Sequence, residues 1–199
     1  RELDHPTQIP NNTPIPSHMN RPNSNTDWIK SGIFLAGEYP GAKSEAATRE
    51  RLRQYLDAGI RCFIDLTKPD ESGLKPYNTL LQDEAIARGC IIEHARFSIP
   101  DVSIPASREQ MAAILDRIDR ALSEKQPIYV HCFGGVGRTG TVVGCWLVRH
   151  GKSGEEALAE LARFWHQMQK RTRPVDPKPE TPETDEQRRY ILTWTERPR

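Results

Sequence analysis

Short apolar segments alternating with longer stretches of helical period constrain this 199-residue chain more than any other feature. Ile33-Phe34-Leu35-Ala36, the segment Arg61 to Leu66, Ile91 to Ala95 and Ile128-Tyr129-Val130-His131 read as strands. Between the first two, residues 44–58 place Leu52, Tyr55 and Leu56 on one helical face, with Gly59 as the stop. A second helix is predicted from about Asn78 to Arg88. A third is opened by Ser107-x-x-Gln110 and carries Met111, Ile114, Leu115, Ile118 and Leu122 at helical spacing. The helix from about Thr139 to His150 is apolar around most of its circumference and so belongs in the core. Ser153-x-x-Glu156 caps another, with Ala157, Leu158, Leu161, Phe164, Trp165 and Met168 facing inward; Thr184-x-x-Gln187 caps a last one running to about Trp194. Strands alternating with helices in this way imply an α/β fold with a central, mostly parallel sheet flanked by helices.

The ends differ from this pattern. Ten of the sixteen prolines fall before residue 23 or after residue 173, and residues 1–27, rich in Pro, Asn, Ser and Thr, show neither period. They are expected to be extended or disordered, with one domain from 28 to 195 and a proline-rich connector at 174–183 before the last helix. The balance of 28 Lys+Arg against 27 Asp+Glu gives no reason to expect nucleic acid or an anionic membrane as partner. No stretch approaches the roughly 18 apolar residues of a membrane span, and the first residues contain no signal-type apolar core. Cys62, Cys90, Cys132 and Cys145 form no C-x-x-C pair and are too sparse for a disulfide scaffold, so reduced thiols and a cytoplasmic location are expected, with no metal and no cofactor.

The stretch that carries chemistry is His131-Cys132-Phe133-Gly134-Gly135-Val136-Gly137-Arg138-Thr139-Gly140. A buried strand ends at a cysteine, three glycines follow within five residues, and an arginine leads into a helix. Glycines let the backbone curl so that several N–H groups of Phe133 to Gly137 point inward, and the helix N-terminus adds its positive dipole end. Arg138 supplies a planar fork for two oxygens of a phosphate. Cys132 lies beneath the same cradle, whose positive field favours a thiolate. The spacing Cys-x5-Arg alone proves little, because Cys90-Ile91-Ile92-Glu93-His94-Ala95-Arg96 has it too. That copy contains no glycine and reads as strand.

On these residues the chain resembles the cysteine-dependent protein tyrosine phosphatase superfamily. His131 to Gly140 fits its H-C-x5-R-[ST] signature, and the layout from about 28 to 195 is similar to the small dual-specificity-like group, including the cyclin-dependent-kinase-associated phosphatase and bacterial relatives. The resemblance implies Cys132 as nucleophile, Arg138 and the amides of Phe133, Gly134, Gly135, Val136 and Gly137 as the phosphate clamp, and a phosphorylated protein as partner. It implies a general acid on a facing loop, and Asp101 in Phe97-Ser98-Ile99-Pro100-Asp101-Val102-Ser103-Ile104-Pro105 holds that position, thirty-one residues before the cysteine. Asp65 is the rival acid, read more often as a support for the loop at Thr67. Gln187 resembles the family's late, water-placing glutamine and equally fits a capping box with Thr184. Thr139 is placed to hydrogen-bond the departing sulfur, and His131 to orient the loop. The expected activity is hydrolysis of phosphotyrosine, and with a shallower cleft also phosphoserine and phosphothreonine, through a cysteinyl-phosphate. The alternatives are a phosphoinositide or other non-protein phosphomonoester as substrate, or a non-catalytic phosphate-binding module.

Overall fold

The computed structural model describes residues 21–71, 73–167 and 181–196. A five-stranded sheet is built from β1 (Thr26–Lys30), β2 (Phe34–Gly37), β3 (Cys62–Asp65), β4 (Glu93–Arg96) and β5 (Ile128–His131), in the order β1-β2-β5-β3-β4. Only the β1/β2 pair is antiparallel. The helices are α1 (Glu45–Asp57), α2 (Asn78–Ala87), α3 (Arg108–Ser123), α4 (Gly137–Arg149), α5 (Gly154–Gln167) and α6 (Asp185–Leu192). Among the described residues no helix is long and apolar enough to cross a membrane.

Alternation along the strands sorts the core into two layers. Phe34 and Ala36 of β2, Cys62 and Ile64 of β3, and Ile128 and Val130 of β5 face one side, packing with Met111, Ile114 and Ile118 of α3 and Val142, Val143 and Cys145 of α4. Leu35, Phe63 and Tyr129 face the other, against Leu52, Tyr55 and Leu56 of α1 and Leu81 and Ala85 of α2. This two-residue period is what sets Cys132 and His131 on opposite faces at the end of β5. Register aligns His131 with both Gly37 of β2 and Asp65 of β3, and Asp65 with Arg96 of β4. The carboxyl ends of four strands therefore share one edge, where the loops that can carry a site converge.

α4 is buried from Gly137 to Leu147, as its all-round apolar pattern predicts. Its Gly144 admits α6, since a Cβ there would run into Ile191 and come within 3.1 Å of Leu161 Cδ1.

The expected start of order near residue 28 moves upstream. Thr26 and Asp27 belong to β1, Asn25 is buried, and Asn23 Nδ2 donates to Tyr55 Oη at 2.8 Å. Residues 1–20 and 168–180, with most of the proline-rich connector and Met168, lie outside the described residues. The last helix ends at Leu192 rather than Trp194, although Trp194 is buried.

Candidate active site

The loop from Cys132 to Val136 joins β5 to α4, and its carbonyls are drawn outward. Tyr39 N donates to Phe133 O at 3.0 Å, Gly140 N and Thr181 Oγ1 donate to Val136 O at 3.1 and 2.8 Å, and Thr141 Oγ1 donates to Gly137 O at 2.8 Å. With those acceptors engaged outside, the amides can turn to a common centre. Gly135 N donates to Cys132 Sγ at 3.2 Å. At Gly135 φ is +73°, and a Cβ would lie 2.6 Å from Gly37 O, so glycine is required both by conformation and by space.

Arg138, in the first turn of α4, is 1% exposed. Its five N–H groups can be accounted for one by one. Nη1 donates to Glu71 Oε2 at 2.6 Å and Ile99 O at 3.0 Å; Nη2 donates to Glu71 Oε1 at 2.7 Å and pairs with Asp101 Oδ1 at 2.9 Å. Nε–H, although enclosed, has no partner among the described residues. Glu71 thus grips the end of the fork. Its side edge, Nε–H with the adjacent Nη2–H, is the edge that Glu71 leaves, and Asp101 is ion-paired at its Nη2 end. Burial disfavours the charges of both Arg138 and Glu71, but the pairing outweighs it: the guanidinium pKa is raised and the carboxyl is held below its ordinary range.

Asp101 is about half exposed on its loop. Around Asp101 that loop is anchored by the Ile99 carbonyl and the Asp101 carboxylate to Arg138, and by Gln187 Nε2 donating to Ser103 O at 3.0 Å. Val102 stands between them with φ +60°, a conformation costly for a β-branched residue. Gln187 is fully buried against Gly137, and its Oε1 accepts from Glu183 N at 3.0 Å and Thr184 N at 3.1 Å. With Thr184 Oγ1 accepting from Gln187 N, this is the complete capping box. Of the two roles weighed for Gln187, the capping box is present in the structure. Thr139 is 2% exposed and its Oγ1 has no partner among the described residues.

Asp65 is no candidate acid. It is fully buried, accepts from Thr67 N and Oγ1 at 2.8 and 2.6 Å, and is bound by Arg96 through Nη2 at 2.8 Å and Nε at 3.1 Å. Burial opposes its ionisation, while the neighbouring His131, the Thr67 bonds and Arg96 outweigh it and keep the carboxyl below its ordinary value. Its predicted role as support for Thr67 is what the structure contains.

Behind Cys132 runs a chain whose proton directions follow from its ends. His131 Nδ1 lies 3.3 Å from Cys132 O, which can only accept, so Nδ1 carries the proton. Burial pushes the His131 imidazole down to about 4 against the pull of Asp65, so the ring is neutral and Nε2 accepts from Tyr77 Oη at 2.6 Å. Tyr77 Oη then accepts from His94 Nε2 at 3.1 Å. His131 thus holds the backbone carbonyl of Cys132, in line with a loop-orienting role.

Two residues of this arrangement escape sequence reasoning. Glu71 sits in a polar loop where any carboxylate looks solvated; the only hint was that its loop leaves a strand beside β5. Tyr77 reads as an ordinary apolar residue before a helix.

Residues 37–152 match the family model described as "Tc-R-P: Polymorphic toxin system, DSP-PTPase phosphatase". The chain belongs to that family. The phosphatase is 33% identical over 129 residues to phosphatidylglycerophosphate phosphatase PTPMT1 of Arabidopsis thaliana, a match covering 61% of this chain and 38% of that protein. It spans less than half the length of the curated relatives it matches. Among solved structures, Tk-PTP in its active form is similar with a TM-score of 0.61 and 27% identity, over 84% of this phosphatase and 93% of that chain. The kinase associated phosphatase shares the fold with a TM-score of 0.58 and 20% identity, over 79% and 83%. The chain thus belongs to the protein tyrosine phosphatase superfamily, in the dual-specificity-like group, with the α/β architecture expected from its strand and helix order.

Proposed function

We propose that this enzyme removes phosphate from phosphotyrosine in proteins, and also from phosphoserine and phosphothreonine, through a cysteinyl-phosphate. Cys132 attacks phosphorus while the loop amides and the side edge of Arg138 hold the equatorial oxygens. The observation that carries this reading is the donor set of Arg138: three N–H groups bond Glu71 and Ile99, Nη2 is also ion-paired with Asp101, and the adjacent Nε–H has no partner among the described residues. An arriving phosphate takes Nε–H and Nη2–H together, so it displaces the Asp101 carboxylate from the arginine. The freed carboxyl group, in its protonated form, gives its proton to the leaving oxygen and afterwards takes one from the water that hydrolyses the cysteinyl-phosphate. Thr139 Oγ1, without a partner until then, donates to the sulfur as it departs. Positioning and charge supply most of the rate, with no cofactor in any step.

A protein substrate is supported by the apolar surface beside the reacting groups. Phe133, which follows Cys132, is 51% exposed, and Val102, which follows Asp101, is 49% exposed, which suits an aromatic leaving group. The cradle from Phe133 to Gly137 holds no lysine for a polyphosphorylated ring. The name of the Arabidopsis relative favours a second reading, a lipid or other non-protein phosphomonoester.

The test compares turnover of phosphotyrosine peptide, phosphothreonine peptide and phospholipid vesicles by wild type, Asp101→Ala and Cys132→Ser, with chelator present. The peptides are expected to be turned over faster than the lipids, with a loss of about 10²–10⁴-fold in Asp101→Ala and no turnover in Cys132→Ser. Lipid preference in the wild type would select the second reading, and a fully active serine variant would remove Cys132 as nucleophile.

A further inference from the structure

Beside the catalytic loop lies a groove of about 720 Å³, lined in part by Tyr39, Lys43, Arg51, Leu74, Lys75 and Phe133. Its position follows from backbone contacts, since Tyr39 N bonds Phe133 O and Phe133 directly follows the nucleophile. The ring of Phe133 is therefore a wall of the groove on its catalytic side. All three charged residues lining it are basic, in a chain whose charges otherwise nearly cancel. The other described grooves mix signs: one holds Arg108 and Arg149 with Glu109 and Glu196, the other Lys30 and Lys152 with Asp119 and Glu160.

The cations are available to a ligand to different degrees. Lys43 is exposed and its ammonium has no partner among the described residues. Lys75 is exposed and Nζ donates to Lys43 O at 3.0 Å, which leaves two N–H groups. Arg51 donates to Gly41 O at 3.3 Å and lies 3.5 Å from Glu38 Oε1. Ser44, Ala47 and Arg51 line the groove from the N-cap of α1 onward, and the seven steps from the first to the last rise about 10 Å. That is the reach of about three residues of extended peptide at roughly 3.3 Å each.

We infer that this groove is a subsite for the polypeptide flanking the phosphoresidue, selecting acidic side chains within about three positions of it. The inference rests on the reading of the enzyme as a protein phosphatase. Tyr39, Leu74 and Phe133 give the peptide apolar surface, and Lys43 and Lys75, then Arg51, meet its carboxylates.

Two phosphotyrosine peptides test it, identical except that glutamates within three residues of the phosphotyrosine are replaced by glutamines. Wild type is expected to favour the glutamate peptide about five- to tenfold in kcat/KM, through KM, as two or three exposed ion pairs allow. In the double variant Lys43→Glu, Lys75→Glu the preference reverses; if that variant does not fold, Lys43→Gln, Lys75→Gln is expected to bring the ratio near one. Equal kcat/KM for the two peptides in wild type would overturn the subsite and leave the protein-phosphatase reading standing, as would a preference that survives in the variants. If wild type hydrolyses an aryl phosphate but neither peptide, the protein-phosphatase reading falls and takes the subsite with it. Turnover of a soluble inositol polyphosphate with a KM that rises in the lysine variants would assign the groove to a compact polyanion and overturn the peptide.

Discussion

The chain contains the spacing Cys-x5-Arg twice, and the two segments end up doing opposite things. From Cys132 to Arg138 the backbone curls through Gly134, Gly135 and Gly137 into α4. Cys90 lies in the turn after α2, and the segment enters β4 only at Glu93, with Arg96 at the strand's far end. Arg138 keeps one N–H unengaged for a substrate, whereas Arg96 is bound through Nη2 and Nε to the buried Asp65. The segments are nonetheless connected. His94 of the second donates to Tyr77, which donates to His131 at the head of the first. One copy forms the loop at the head of α4 and the other is part of the scaffold beside it, and backbone conformation rather than residue spacing decides which.

Crossed substitutions separate them most sharply. Cys132→Ser is expected to lower aryl phosphate turnover by about 10⁵-fold or more, as loss of a nucleophile does, while Cys90→Ser leaves turnover within about twofold. Next in size is Arg138→Lys, which removes the fork and is expected to cost about 10²–10³-fold in kcat. Arg96→Ala should act on stability rather than on turnover. It leaves Asp65 buried with an unbalanced charge, and because Arg96 itself is part-exposed the expected loss is about 2–3 kcal/mol of unfolding free energy, below that of a fully buried pair. If Arg96→Ala instead abolished turnover with unchanged stability, the division between chemistry and scaffold would be broken.

The connection between the segments has its own signature in pH. The His131 imidazole titrates near 6.5 in the unfolded chain and at about 4 in the folded one. The unfolded chain therefore binds more protons between those values. Stability contributed by the neutral ring is complete above pH 6.5 and declines toward pH 4 by up to about 1.4 kcal/mol per pH unit. His94, also held below its ordinary value by burial, adds to the slope in the same direction. Urea denaturation from pH 7 to 4 measures the slope, and His131→Asn should flatten it by close to one proton. An unchanged slope would mean that the ring is not held neutral by the fold.

What could be read before the structure was known follows a physical line. The nucleophile loop was legible because every part of it is local: a strand, glycines and a helix start within ten residues. Asp101 was legible because Pro100 and Pro105 mark its loop, and the Thr184/Gln187 capping box because a cap is a four-residue device. β1 was hidden because Thr26 and Asp27 offer no apolar alternation, and its order comes from pairing with β2. Glu71 and Tyr77 meet Arg138 and His131 across 67 and 54 positions, and no local pattern encodes such a meeting. Ser107-x-x-Gln110 was half right. Ser107 caps α3, but Gln110 reaches Ala106 N and Ser98 O instead of closing the box, so it ties the acid loop to that helix.

The docking of α6 on α4 bears on how the gene should be cut. The stretch shared with the family ends at residue 152, yet Ile191 fills the space over Gly144, Thr181 bonds the Val136 carbonyl, and Gln187 anchors Ser103. Expression boundaries drawn at residues 37 and 152 would retain Cys132, Arg138 and Asp101 while stripping β1, all of β2 but Gly37, α5 and α6 from the core. The product would carry every residue of the signature and lack the support that holds the nucleophile loop and the acid loop in register.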